Sequence, residues 1–154
     1  MISRIPLAAA LALAAALAQN EPKPEKPDLP YLKHATTLIA TEAVTAKQEK
    51  HGNATRYIIA GANSPARTPL AAPIFLFQGD KIAASSLEFY RLESKGDHRE
   101  IEYSRSGPEP LRLIVTRLAG SADLYRVEAY EGQEEGEYAL RPRDSGTFFC
   151  FAIF

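Results

Sequence analysis

Residues 31–154 predict an all-β domain, an antiparallel sandwich of eight or nine short strands. Three observations carry this reading. Short apolar runs recur about every 8–14 residues, each closed by a cluster of Gly, Pro, Asn or Asp. Within several runs the side chains alternate apolar and polar with period two, as strands with one buried face require. No stretch beyond Tyr31 carries a long helical period with caps, and no strand–helix–strand rhythm appears.

Two segments precede the domain. Residues 1–18 read as a secretory signal: Arg4 is the only charge before Glu21, Ile5 to Ala18 is uninterrupted apolar, and Ala16-Leu17-Ala18 presents an A-x-A site. The apolar run rises only about 21 Å as a helix, short of the ~30 Å hydrocarbon core. Cleavage after Ala18 is therefore expected, with Ala16 and Ala18 at the cleavage site, no membrane span in the mature chain, and a periplasmic or extracellular address. Residues 19–30 hold four prolines and five charges among twelve residues, which predicts a semi-rigid extended leader.

Within the domain, residues 35–50 mix helix formers (Ala43, Ala46, Lys47, Gln48) with β-branched Thr36, Thr37, Ile39, Thr41, Val44 and Thr45, and the balance favours strand. Lys50 to Asn53 turns the chain into a strand at 54–60. Residues 63–73 contain three prolines, so that stretch allows at most an edge strand. Strands follow at 74–77, 87–93 and 99–105, the last with Ile101 and Tyr103 on one face and Glu100 and Glu102 on the other. Further strands are expected at 111–118, 124–130, 137–141 and 147–154. In T-F-F-C-F-A-I-F, the final run, both faces are almost wholly apolar, so this strand needs cover on both sides, from the domain or from a partner.

Glu135-Gly136-Glu137-Tyr138-Ala139-Leu140 resembles the L-x-P-G-x-Y-x-L strand start of immunoglobulin-like and prealbumin-like sandwich domains, although Gln133 and Glu135 stand where that pattern prefers Leu and Pro. The resemblance implies that Gly136 turns into a strand and that the Tyr138 hydroxyl caps the corner. The stretch from Ala60 through Phe77 resembles uncharacterised exported bacterial proteins, which implies no activity.

Charge is nearly balanced, with 18 Lys+Arg against 19 Asp+Glu, so the chain lacks the basic excess of a nucleic-acid binder. Seven Tyr and seven Phe, all beyond residue 30, argue against disorder. Cys150 is alone, which excludes an internal disulfide, and between Phe149 and Phe151 it reads as a small buried hydrophobe. His34, His51 and His98 lack metal-ligand spacing, and the acidic loop 131–137 lacks the offsets of a calcium loop, so no metal or cofactor is expected. Nor does any nucleophile elbow or phosphate cradle occur, and no catalytic residue is assigned.

Binding is what remains. Arg67, in the proline-stiffened loop, is the candidate recognition residue, because loops on a rigid sandwich commonly carry function. Arg112, Arg117 and Arg126 lie on neighbouring strands and form a positive strip unless Glu128 or Glu102 neutralises them. Tyr57, Tyr90 and Tyr103 offer ring platforms for sugars only if exposed. The expectation is an exported, non-catalytic interaction or envelope module whose partner is another envelope or extracellular protein. The rivals are a carbohydrate-binding module, a small exported hydrolase and an outer-membrane barrel, the last disfavoured by short, charged strands.

Overall fold

Fourteen strand segments form among the described residues, and a computed structural model describes residues 22–154. In chain order they are β1 (Tyr31–His34), β2 (Thr37–Ala40), β3 (Glu42–Thr45), β4 (Lys47–His51), β5 (Ala54–Ala60), β6 (Arg67–Thr68) and β7 (Ile74–Gln78). After a 3-10 turn at Ala84–Ser86 come β8 (Leu87–Arg91), β9 (Glu93–Ser94), β10 (His98–Tyr103), β11 (Leu113–Arg117), β12 (Leu124–Ala129), β13 (Gly136–Pro142) and β14 (Thr147–Ile153). The signal and its Ala16 and Ala18 site lie outside the described residues.

These strands build three sheets. Sheet I runs β11-β12-β7-β1-β2, sheet II runs β3-β14-β13-β8, and sheet III runs β4-β5-β10-β9. All the pairings are antiparallel except one, in which β6 joins β14 in parallel with Ala152 opposite Arg67. Thus the proline-rich stretch does supply an edge strand, of two residues.

Sheet II lies between the other two. Its strands send alternate residues to opposite faces, and each face has its own core. Leu87, Phe89, Tyr138, Leu140, Phe149, Phe151 and Ile153 meet Leu32, Phe75, Phe77, Val127 and Ala129 of sheet I. Tyr90, Ala139, Phe148 and Cys150 meet Ile59 and Ile101 of sheet III, with Ala46 closing the layer. The doubly apolar β14 is therefore a central strand, buried along Phe148–Ile153. Burying a Phe contributes about 1.5–3 kcal/mol, so these residues hold both layers together.

The expected count of eight or nine strands is corrected to fourteen, and the reason is sheet switching. Residues 37–51 form one extended path that breaks at Thr41 and Ala46, placing β2, β3 and β4 in three different sheets. At the first break, the Thr41 N–H and Oγ1 both donate to the Pro30 carbonyl, at 3.1 and 2.7 Å. At the second, the Ala46 N–H donates to Gly146. Because its buried face changes at each break, no single alternation runs through the stretch. Likewise β8 and β9 divide the run at 87–93 between sheets II and III.

Residues 22–30 depart from the extended leader expected of their prolines. Asp28, at φ 59°, accepts backbone N–H bonds from Asp80, Lys81 and Ile82 on its carboxylate, at 2.9–3.1 Å. Its own N–H donates to Gln78, and Leu29 packs on the first core. Burial acts to raise the Asp28 pKa, but the three N–H bonds and the Lys81 charge outweigh it, and the net shift is downward. The folded unit thus begins before Tyr31, because one carboxylate satisfies a turn that proline content does not reveal.

Candidate functional site

Arg67 borders an open cleft of about 620 Å³ at the end of β14 and the start of β13, walled by Asn63, Glu135, Gly136, Glu137 and Phe154. Pairing of β6 with the end of β14 fixes the arginine there, and its guanidinium lies 4.2 Å over the Phe154 ring. At the floor, Glu137 is 8% exposed and its Oε1 accepts the Ser64 N–H at 2.7 Å. Burial raises its carboxyl pKa, while the Ser64 bond and the Arg99 charge oppose that shift.

Behind the cleft lies a charge the sequence analysis missed. Arg99 is fully buried, with Nη1 and Nη2 donating to the two Glu42 oxygens at 2.7 and 3.3 Å. Nε and Nη2 donate to the carbonyls of Gly61 and Ala60, both at 2.8 Å, and Glu137 Oε1 stands 3.7 Å from Nη1. One guanidinium thus joins β3, β10, β13 and the loop after β5. Losing it would leave two poorly hydrated carboxylates facing each other, a strongly destabilising outcome for a buried pair. The signal was present: Arg99 stands two residues before Ile101, on the apolar face of its strand.

The Tyr138 hydroxyl donates to the Glu134 carbonyl at 2.7 Å, four residues upstream, which is the geometry of a tyrosine corner. Gly136 keeps room beside it: a Cβ there would stand 3.0 Å from Arg91 Nη2. Cys150 is buried between β13 and β3, and burial pushes its thiol up to about 12, so it has no thiolate character at neutral pH.

The other candidates fall as follows. Tyr57, Tyr90 and Tyr103 belong to the layer between sheets II and III, with the Arg141 guanidinium 4.5 Å over Tyr57 and 4.6 Å over Tyr103. They form no external ring platform. Tyr130 and Phe154 are the exposed large aromatics among the described residues, each covered by an arginine. His34 bonds Thr68, His51 bonds Glu102, and His98 bonds Asp97 and Glu100. No group of three His, Cys, Asp or Glu is placed to hold a metal among the described residues. In the acidic loop Glu134 pairs with Arg91, while Glu137 turns inward.

The positive strip splits. Arg126 lies 3.6 Å from Glu128, whereas Arg112 stacks 4.2 Å over Tyr130 and Arg117 stands exposed at the end of β11. That strand is the second feature of note. Its even-numbered residues face β12: the Tyr130 N–H donates to Arg112 and the Leu118 N–H to Leu124. The N–H and C=O groups of Leu113, Val115 and Arg117 therefore point away from sheet I, with no partner among the described residues. Ile114 and Val115 are 42% and 38% exposed, on opposite faces. Compared with protein-family models, with curated proteins and with solved structures, the chain matches none.

Proposed function

We propose that this chain is an exported, non-catalytic interaction module that binds another envelope or extracellular protein, taking a strand of that partner onto the free edge of β11. The observation that carries the reading is the open ladder at Leu113, Val115 and Arg117, flanked by exposed Ile114 and Val115. Exposed apolar edges invite strand addition, and soluble proteins ordinarily blunt them with charge or cover. Three of the other edges are blunted, and the remaining two, β2 and β3, are four residues each, shorter than β11. Strand β4 carries Lys47, Glu49 and Lys50, β9 is two residues long beside Lys95, and β8 is closed where the Leu111 N–H donates to Phe89. The export signal, with its A-x-A site, supports the envelope address, and the Tyr138 corner supports kinship with immunoglobulin-like sandwiches. The inward placement of Tyr57, Tyr90 and Tyr103 weakens the carbohydrate-binding reading.

The test is site-specific photo-crosslinking in the native host. A photoreactive residue at Thr116, exposed on β11, should yield a discrete protein adduct that the same residue at Gln48, on the charged β4 edge, does not. Val115→Pro should abolish the adduct without lowering stability, since the lost N–H faces outward. Identical adducts at both positions, or adducts indifferent to Val115→Pro, would overturn the reading.

A further inference from the structure

We infer that the strand received by β11 is acidic: an extended segment of alternating apolar residues with two carboxylates five residues apart, set against Arg112 and Arg117. This inference rests on the edge reading above and adds the chemistry of the partner. The open stretch has definite ends. On its N-terminal side the outward N–H of Leu111 is already taken by Phe89, and past Arg117 the strand ends in a turn, where the Leu118 carbonyl accepts the Ser121 N–H. Three outward-facing residues lie between, so the edge takes a short strand.

Both faces of that strand find apolar contact. Ile114 stands opposite Glu128 on the outer face of sheet I, and Val115 stands opposite Val127 on the core side. Cross-strand contact with exposed β-branched residues favours like residues in the incoming strand. The charges then set its polarity. Residues 111–118, L-R-L-I-V-T-R-L, contain two arginines and no carboxylate. Arg112 is held ready on the Tyr130 ring, and Arg117 forms no ion pair among the described residues, in contrast to Arg126 with its Glu128. Five residues apart, the two arginines lie on opposite faces of the strand. A single extended segment meets both with carboxylates at the same spacing, one on each side.

A second copy of this chain fits less well. Antiparallel pairing of β11 with itself about Val115 would set Arg112 beside Leu118 and Arg117 beside Leu113, so all four guanidiniums would lie along the seam with no carboxylate on either strand to meet them.

The experiment uses the intact exported protein and fluorescent, end-blocked octapeptides of alternating valine and threonine. One carries glutamates five residues apart; the others carry glutamine or lysine at those positions. The glutamate peptide should bind tightest, and its advantage should shrink as salt rises from about 0.05 to 0.5 M. Arg112→Gln and Arg117→Gln should each weaken it about 2- to 5-fold, the range of an exposed ion pair. Binding should also slow hydrogen exchange at the Leu113, Val115 and Arg117 amides. Equal binding of the three peptides, with protection at those amides, would overturn the acidic partner and leave the edge reading standing. Failure of every peptide to protect those amides would overturn both. Self-association in sedimentation that Val115→Pro abolishes would replace the acidic partner with a second copy.

Discussion

Phe148→Ala and Phe151→Ala together test whether sheet II lies between two packed layers. The two side chains stand three residues apart on β14, point to opposite faces, and are each 0% exposed. Phe151 belongs to the core with sheet I and meets Phe75, Phe89 and Tyr138 at centroid distances of 5.0, 5.9 and 6.0 Å. Phe148 belongs to the core with sheet III and meets the Tyr57 ring at 5.4 Å and the Arg141 guanidinium at 5.2 Å. Truncating a buried Phe to Ala costs about 3–5 kcal/mol. Aromatic pairs contribute ~0.5–1.5 kcal/mol each, so Phe151, with three ring neighbours, should fall near the top of that range and Phe148 near the bottom. Against a total stability of about 5–15 kcal/mol, either loss is large but survivable. Urea unfolding followed by circular dichroism gives both values, provided the m-value is unchanged. If Phe148→Ala cost under about 1 kcal/mol while Phe151→Ala cost its full amount, sheet III would not cover that face, and sheet II would be packed on one side only.

Three further outcomes are expected. Cys150, with its thiol held near 12 by burial, should resist a thiol reagent at about pH 8 until denaturant unfolds the protein; prompt reaction of the native chain would contradict its place between the layers. Tyr138→Phe should cost about 0.5–1.5 kcal/mol through loss of the bond to Glu134, and an unchanged unfolding midpoint would remove the corner. Glu137 has a folded-state pKa raised above the ordinary 4.5, so the native chain binds more protons than the unfolded chain just above that value. Stability relative to Glu137→Gln should therefore fall as pH rises from about 4 to about 7, and a pH-independent difference would refute the assignment.

What the sequence made legible follows from the range over which each signal acts. The two apolar faces of Thr147–Ile153 announce a strand covered twice, because period two is a property of the strand alone. The Tyr138 corner is legible for the same reason, since its bond spans only four residues. By contrast, the path from Thr37 to His51 reads ambiguously because its cover comes from three sheets in turn. Arg99 draws no assignment from the sequence although it shares a face with Ile101, because its partners Glu42 and Glu137 are distant in the chain. The docking of Asp28 depends on a turn at 80–82 and leaves no mark in the proline-rich composition. The β11 run looks like any other buried strand; only its position at the margin of sheet I exposes Ile114 and Val115.

The placement of β14 also bears on how the chain reaches its native state. This strand joins Thr147 to Thr45 and Ile153 to Thr68, and without it neither layer has a middle. Strands made early have to wait for it, while the local hairpins β1–β2 and β4–β5 are free to form at once. Pairings this remote in sequence are formed late and slowly, because the closure entropy of the intervening chain precedes any gain from contact. A chain lacking residues 147–153 should accordingly leave both aromatic layers unfinished, and the pairings of β14 with β3 and β6 are expected to be the last to form.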